Sequence, residues 1–143
     1  MFKKIVLLLV LVASCVSLYA DEIRWAKDFS SGIDEAVKRN KPVFFVYSRH
    51  SCKYCVLLEN TTFKDKEVIK ALNKDFISIV SYTDENDYTP RGLVSSGTPA
   101  LWFLMPNGQP LFAPLMGAID ARNFLEALKI VTKEFHTTQK EKL

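Results

Sequence analysis

Histidine and cysteine, two side chains that commonly bind transition metals, are scarce in this sequence. The 143 residues include two histidines and three cysteines, whereas a structural zinc site needs about four ligands. A bound metal is therefore not expected. A basic stripe is also missing, because 19 lysines and arginines accompany 16 acidic residues without clustering on one segment. Nucleic acid is accordingly not an expected partner.

Long apolar runs are absent apart from residues 5–12, which follow Lys3 and Lys4. This run is too short to span a membrane comfortably. Its basic start, and the small residue Ala20 ahead of two acidic residues, are typical of a secretory signal. The sequence thus predicts a signal peptide over 1–20 and a protein that is periplasmic or otherwise exported.

A second interpretation of the N-terminus stays open, because the segment 12–15, Val-Ala-Ser-Cys, resembles the lipobox of bacterial lipoproteins. The signal would then be 1–14, and Cys15 would be acylated and would anchor the protein to a membrane. Either route leads to a compartment that permits disulfides. Either route also leaves Cys52 and Cys55 as the two available thiols.

The full sequence, with 24% charged and 48% hydrophobic residues and no repeats or linker, has the composition of one folded domain. We expect this domain over 21–136 and a flexible polar tail over 137–143. The predicted strands are 43–47, 76–81, 100–105 and one that begins at 111–112. The predicted helix caps are Ser30 or Ser31, Ser51, Asp65 and Asp120.

Two connections define the expected topology. A strand–helix–strand unit requires a parallel pair with a right-handed crossover, and the Asn107-Gly108 pair predicts a hairpin that adds an antiparallel strand. The sequence therefore predicts an α/β fold in which a central mixed sheet of about four strands has helices on both faces. The helix after Ser51 is expected to turn Val56, Leu57 and Leu58 inward.

The segment Cys52-Lys53-Tyr54-Cys55 directly follows the first buried strand. A cysteine at a helix start faces free N–H groups and the positive end of the helix dipole, which favour the thiolate that attacks disulfides. Arg49, His50 and Lys53 are expected to add positive charge. Cys55, one turn later, would be more buried and would act as the resolving thiol.

Other uses of the two cysteines are less consistent with the sequence. A structural disulfide across so short a loop removes little entropy from the unfolded chain. Covalent haem attachment needs histidine after the second cysteine, where Val56 stands. A non-catalytic module that binds a partner or cuprous copper through the thiolates remains the alternative function. No cofactor is expected.

The pair Thr98-Pro99 follows Gly97 just before the third strand. A proline there is consistent with simple termination of the loop. It is also consistent with a cis peptide beside Cys52 that leaves the backbone of Thr98 free to pair with a substrate, although cis bonds are a minority at X–Pro.

Taken together, the segments around 35–43, 52–55, 59–68, 83–86, 97–99, 106–108 and Gly117 resemble the thioredoxin superfamily over about 25–135. The resemblance extends to the periplasmic C-terminal thioredoxin-like domain of bacterial thiol:disulfide interchange reductases. It implies a thioredoxin-like fold, an attacking Cys52, a resolving Cys55, a cis Pro99, and contact of Thr98 with substrate backbone.

The sequence departs from the thioredoxin pattern at two positions. Ser51 replaces the usual tryptophan before the first cysteine, and Val46 replaces a buried acid on the strand. Glu59, one helical turn beyond Cys55, is the candidate proton acceptor instead, although a solvated charge on the helix face is an equally good interpretation.

The resemblance leads to a functional prediction, an exported protein-disulfide oxidoreductase, with reductase favoured over oxidase or isomerase. The expected substrates are protein disulfides, including those of apocytochromes. A separate membrane protein would supply electrons or oxidant, and a monomer is expected.

Overall fold

The computed structural model describes residues 21–142, so the candidate signal segment and Cys15 lie outside the described residues. The elements of this part of the chain are α1 (Phe29–Arg39), β1 (Val43–Ser48), α2 (Lys53–Asn60), α3 (Lys66–Asp75), β2 (Ile77–Tyr82), β3 (Ala100–Leu104), β4 (Leu115–Met116) and α4 (Ala121–Glu141). Single 3₁₀ turns occur at Thr62–Lys64, Thr83–Glu85 and Arg91–Leu93. None of the described helices is long and apolar enough to cross a membrane.

The sheet has the strand order β2-β1-β3-β4. The central strand β1 pairs in parallel with β2 and antiparallel with β3. Its first four residues are at most 2% exposed, because helices cover both faces of the sheet. The predicted α/β fold, with a central mixed sheet of four strands and helices on both faces, is therefore confirmed.

Two apolar clusters occupy the two faces of the sheet. Helix α1 covers one face, where Ala36 packs with Phe45 and Ile79. Helices α2, α3 and α4 cover the other face. Its core surrounds Phe44, whose ring centroid lies between 5.2 and 6.3 Å from those of Trp25, Phe63, Phe103 and Phe124. Burial on both sides explains why the first strand has no polar alternation.

The prediction of the fourth strand was wrong in position. The turn forms as expected, with Gly108 at φ 85° and the N–H of Met105 donating to the carbonyl of Gln109 at 2.8 Å. Pairing is then brief, and the strand proper is Leu115–Met116. Pro110 and Pro114 have no N–H to donate, and such residues interrupt a regular ladder.

The start of the first helix and the end of the last helix also differ from the sequence predictions. Asp28, rather than Ser30 or Ser31, caps α1, accepting a hydrogen bond from the N–H of Ser31 at 2.7 Å. The helix-capping predictions at Asp65 and Asp120 are confirmed. Helix α4 continues to Glu141, past the predicted tail boundary at residue 137, because its last residues include strong helix formers such as Gln, Lys and Glu.

Candidate active site

The dithiol lies where β1 ends and α2 begins. Cys52 itself, not Ser51, is the N-cap of α2, and its Sγ accepts a hydrogen bond from the N–H of Cys55 at 3.2 Å. The backbone carbonyl of Cys52 accepts the first helical bond, from Val56 at 3.0 Å. The sulfur therefore interacts directly with the free N–H groups at the helix start.

The turn before Cys52 is anchored by the loop that follows β2. The Asp84 carboxylate accepts hydrogen bonds from the backbone N–H groups of His50 and Ser51 at 3.2 and 3.3 Å. Some desolvation acts to raise the pKa of Asp84, but these two hydrogen bonds outweigh it and lower the pKa. Since the carboxylate stays ionised, the bonds persist across the neutral pH range.

Cys52 is partly exposed and its thiol is acidified. Partial burial acts to raise the pKa of Cys52, but hydrogen bonds with the side chains of Cys55 and Thr98, and with backbone N–H groups, outweigh it and lower the pKa. The lowered pKa agrees with the sequence prediction, but its main causes are hydrogen bonds rather than the expected cations. His50 pairs with Glu85 at 2.7 Å, and Arg49 donates to the Thr83 hydroxyl at 3.2 Å.

Cys55 differs from Cys52 in burial and acidity. It is 1% exposed and unpaired with Cys52, so the dithiol is in its reduced form. Burial raises the pKa of Cys55, and the hydrogen bond with Cys52 raises it further, while Ser48 and Thr98 act in the opposite direction. The two thiols thus have opposite pKa shifts, which is the asymmetry that a nucleophile and a resolving thiol require.

The loop before β3 lies against the Cys52 sulfur. The Thr98–Pro99 peptide bond is cis, and the Sγ–H of Cys52 donates to the carbonyl of Thr98 at 3.3 Å. A thiolate has no proton to donate, so ionisation of Cys52 frees that carbonyl for another donor.

A cavity of about 260 Å³ lies behind Cys55, large enough to hold several water molecules at roughly 30 Å³ each. Glu59, one helical turn beyond Cys55, lines the same cavity. So do Ser48 and Tyr82, and the hydroxyl of Tyr82 donates to Glu59 Oε1 at 3.0 Å. The structure therefore places Glu59, the candidate proton acceptor, and the buried thiol of Cys55 around one cavity.

The sequence analysis assigned no role to three residues near the dithiol: Ser48, Tyr82 and Asp84, the last of which lies in the segment 83–86 that contributes to the resemblance. Ser48 and Tyr82 are paired in register at the carboxyl ends of the parallel strands β1 and β2, and Asp84 follows directly. Sites in α/β sheets form at these ends, so the polar residue that closes each apolar strand was the available signal. The inward orientation predicted for Val56 and Leu57 was wrong: they are 41% and 47% exposed, and only Leu58 is buried.

Within residues 21–142, no group of three or more His, Cys, Asp or Glu side chains is arranged to hold a metal ion. The candidate site consists of two thiols, a proline loop and a cavity whose lining includes Glu59 and Glu22.

A family model described as a thioredoxin-like domain matches residues 29–132. Anterior gradient protein 3 from Mus musculus is 26% identical over 91 residues, which cover 62% of this chain and 53% of that protein. The chain thus spans about half the length of this relative.

Two solved structures have the same fold, and together with the family model they confirm the predicted thioredoxin-like fold. A thioredoxin from Thermus thermophilus has a TM-score of 0.65 and 23% identity, covering 77% of this chain and 87% of its own. The oxidised C-terminal domain of DsbD from Neisseria meningitidis has a TM-score of 0.55 and 23% identity, covering 70% and 90%.

Proposed function

This chain belongs to the thioredoxin-like domain family, and from that premise we propose that it is a thiol–disulfide oxidoreductase whose reacting groups are Cys52 and Cys55. The single observation that carries the proposal is the placement of the two thiols: the partly exposed Cys52 caps α2 and its sulfur accepts the N–H of Cys55 at 3.2 Å, while Cys55 is buried. The lowered pKa of Cys52 and the raised pKa of Cys55 agree with this placement. A thiolate attacks a disulfide, whereas a thiol does not.

The reaction proceeds in two exchanges. The Cys52 thiolate attacks one sulfur of a substrate disulfide, forming a mixed disulfide and releasing the other substrate sulfur as a thiolate that takes a proton from water. Cys55 then loses its proton and attacks Cys52 Sγ. A Cys52–Cys55 disulfide forms, and the second substrate thiolate leaves and is protonated. Two electrons and two protons pass to the substrate.

Thr98 and Pro99 are the proposed substrate-binding residues. Ionisation of Cys52 releases the carbonyl of Thr98, which lies 3.3 Å from the sulfur. In the proposal this carbonyl accepts a backbone N–H from an extended substrate segment, and that bond aligns the disulfide for attack.

Glu59 is the proposed acceptor of the Cys55 proton. The two side chains line the same cavity, whose volume allows water to connect them. Replacing Glu59 by glutamine should slow release of the mixed disulfide about 100-fold, the size typical of a general base. Glu134→Gln is the matched control, because Glu134 is an exposed residue on α4. Equal release rates in the two variants would refute this role.

Reduction of insulin by dithiothreitol tests the proposed activity. The native protein should accelerate the reaction, and Cys52→Ser should abolish the acceleration. Ser51→Ala serves as the matched control, because Cys52 rather than Ser51 caps α2, and it should remain active. Absence of turnover in the native protein, together with tight stoichiometric binding of cuprous copper, would favour the binding-module alternative.

The reductive direction is also a proposal, supported by the resemblance of residues 25–135 to the periplasmic reductase domains. The contacts that stabilise the Cys52 thiolate act against it, because they stabilise the reduced protein. Equilibration with glutathione measures the outcome. A potential near −270 mV, the approximate value for thioredoxin, would support a reductase, and one near −120 mV, roughly that of the strongest oxidants, would overturn it.

Substrates, partners and location complete the proposal. We expect disulfides of exported proteins, including apocytochromes, as substrates, a separate membrane protein as the electron donor, and a monomeric chain. Cys55→Ala should trap substrates as mixed disulfides in the cell. Fractionation locates the protein, and fatty-acid labelling that disappears in Cys15→Ser would support acylation over cleavage after Ala20.

A further inference from the structure

Tyr82 forms a contact that the exchange reaction described above does not use. It ends β2 directly beside Ser48, the last residue of β1, and its side chain lines the cavity that also contains Cys55 and Glu59. Its hydroxyl donates to Glu59 Oε1 at 3.0 Å. This bond joins the last residue of β2 to the last turn of α2.

The ring of Tyr82 is held from its other side. It stacks on the imidazole of His50, with centroids 3.8 Å apart and planes 12° apart. His50 is itself fixed twice, by its ring contact with Glu85 at 2.7 Å and by its backbone bond to Asp84 at 3.2 Å. The position of the tyrosine hydroxyl is therefore set by the same turn that positions Cys52.

The hydroxyl also remains a donor throughout the working pH range. Burial raises the pKa of Tyr82, and the charge of Glu59 and the hydrogen bond to it raise the pKa further. The phenol consequently stays protonated and continues to donate its hydrogen bond to Oε1 of Glu59.

Glu59 has an alternative environment if this partner is removed. It is only partly buried, so its carboxylate has access to solvent. A glutamate side chain has several rotatable bonds and gains entropy when it is released into solvent. A carboxylate that rotates away from Cys55 is a poor acceptor, since proton transfer requires hydrogen-bond reach, directly or through one water.

We propose that Tyr82 is a positioning residue that holds the Glu59 carboxylate in the cavity behind Cys55, and so controls how fast the mixed disulfide is resolved. The inference rests on the proposed function. The proton moves from the Cys55 sulfur to Glu59, the Cys55–Cys52 bond forms as the Cys52–substrate bond breaks, and the departing substrate thiolate is reprotonated from Glu59 or water. Tyr82 neither gains nor loses a proton.

Single-turnover kinetics separate the step that involves Tyr82 from the step that does not. Reduced protein is mixed with a peptide disulfide, and acid-quenched samples give the rate of mixed-disulfide formation and the rate of its release. Tyr82→Phe keeps the ring that stacks on His50 and removes the hydroxyl. We expect release to slow about tenfold, the effect of losing one hydrogen bond to a charged group, and formation to stay unchanged.

Tyr47→Phe is the matched control. Tyr47 is on β1 and packs with the cluster on the opposite face of the sheet, so removing its hydroxyl should alter neither rate. A general loosening of the fold would affect formation as well as release, and unfolding midpoints measured on the same samples would detect it.

A double-mutant cycle with Glu59→Gln assigns the route by which Tyr82 acts. If Tyr82 works through Glu59, the double variant should release no more slowly than Glu59→Gln alone. Multiplying effects, or a normal rate in Tyr82→Phe beside a slow Glu59→Gln, would overturn the role of Tyr82 and leave the proposed acceptor intact. A normal rate in Glu59→Gln would instead refute the acceptor, and with it this inference.

Discussion

Replacing Gly32 by alanine should destabilise the protein, although alanine is the better helix former. A Cβ at this position in α1 would overlap Ile79 Cδ1, and it would lie 2.5 Å from Ile79 Cγ1 and 3.1 Å from the Cβ of Ala26. Ile79 is 1% exposed in the middle of β2, and its β-branched side chain has few alternative rotamers. The helix and the sheet must therefore separate to accommodate the methyl group.

The magnitude follows from two opposing effects. Overpacking a buried site costs about 1 to 3 kcal/mol, and contacts this short on two atoms of a confined side chain correspond to the upper part of that range. Exchanging glycine for alanine within a helix returns about 1 kcal/mol. The expected net loss is about 1 to 2 kcal/mol in the free energy of unfolding, which corresponds to a melting temperature roughly 4 to 8 °C lower for a domain of this size.

Urea titration of the reduced protein measures this loss, and a second substitution tests its cause. Ile79→Val removes the Cδ1 atom, so the double variant should lose less stability than the sum of the two single variants, by about 1 kcal/mol. Alkylation of Cys52 should be unchanged, because α1 and α2 lie on opposite faces of the sheet. Unchanged or increased stability in Gly32→Ala would show that the packing argument is incorrect.

Other predictions concern the dithiol and the chain next to it. At neutral pH Cys52 should react with iodoacetamide faster than a free cysteine thiol, since hydrogen bonds that include those with Cys55 and Thr98 lower its pKa despite partial burial; an ordinary thiol's pH profile would contradict this. A lowered folded-state pKa gives stability that is present above the pKa of the unfolded thiol and is lost as pH falls through the folded value. In urea titrations, the stability of the reduced wild type relative to Cys52→Ser should therefore decrease as pH falls below about 9. Thr62→Val should cost about 1 to 2 kcal/mol in the same assay, because it leaves the carbonyl of Ile119 without the hydroxyl that donates to it at 2.6 Å; no loss would mean that this bond contributes nothing.

The parts of the fold that depend on apolar pattern were predictable from the sequence. The continuous apolar run of β1 and the Asn107-Gly108 turn were enough to indicate a buried central strand and an antiparallel addition. The position of β4 was not, because two prolines interrupt the pairing. Nor was the outward orientation of Val56 and Leu57, since the second helix is only eight residues long and carries three consecutive apolar residues that define no face.

The candidate site was predictable where its residues are close in sequence. Cys52 and Cys55 form one local motif, and the helix start explains their chemistry. By contrast, the bond from Tyr82 to Glu59 joins residues 23 positions apart, and the bond between Asp84 and His50 joins residues 34 positions apart. Both bonds depend on how β2 aligns with β1. The apolar pattern indicates which strand ends meet, but it does not indicate which side chains form hydrogen bonds there.

The sulfur of Cys52 has a structural role besides its proposed chemical one, because it caps α2 by accepting a hydrogen bond from the N–H of Cys55 at 3.2 Å. A neutral disulfide sulfur is a weaker acceptor than a thiolate. Each time the protein captures a substrate, the N–H of Cys55 at the start of α2 loses a charged acceptor, and each return to the free thiolate restores it. The architecture of the helix therefore contributes to the redox poise, so substitutions that change the rigidity of its first turn should also change the equilibrium potential.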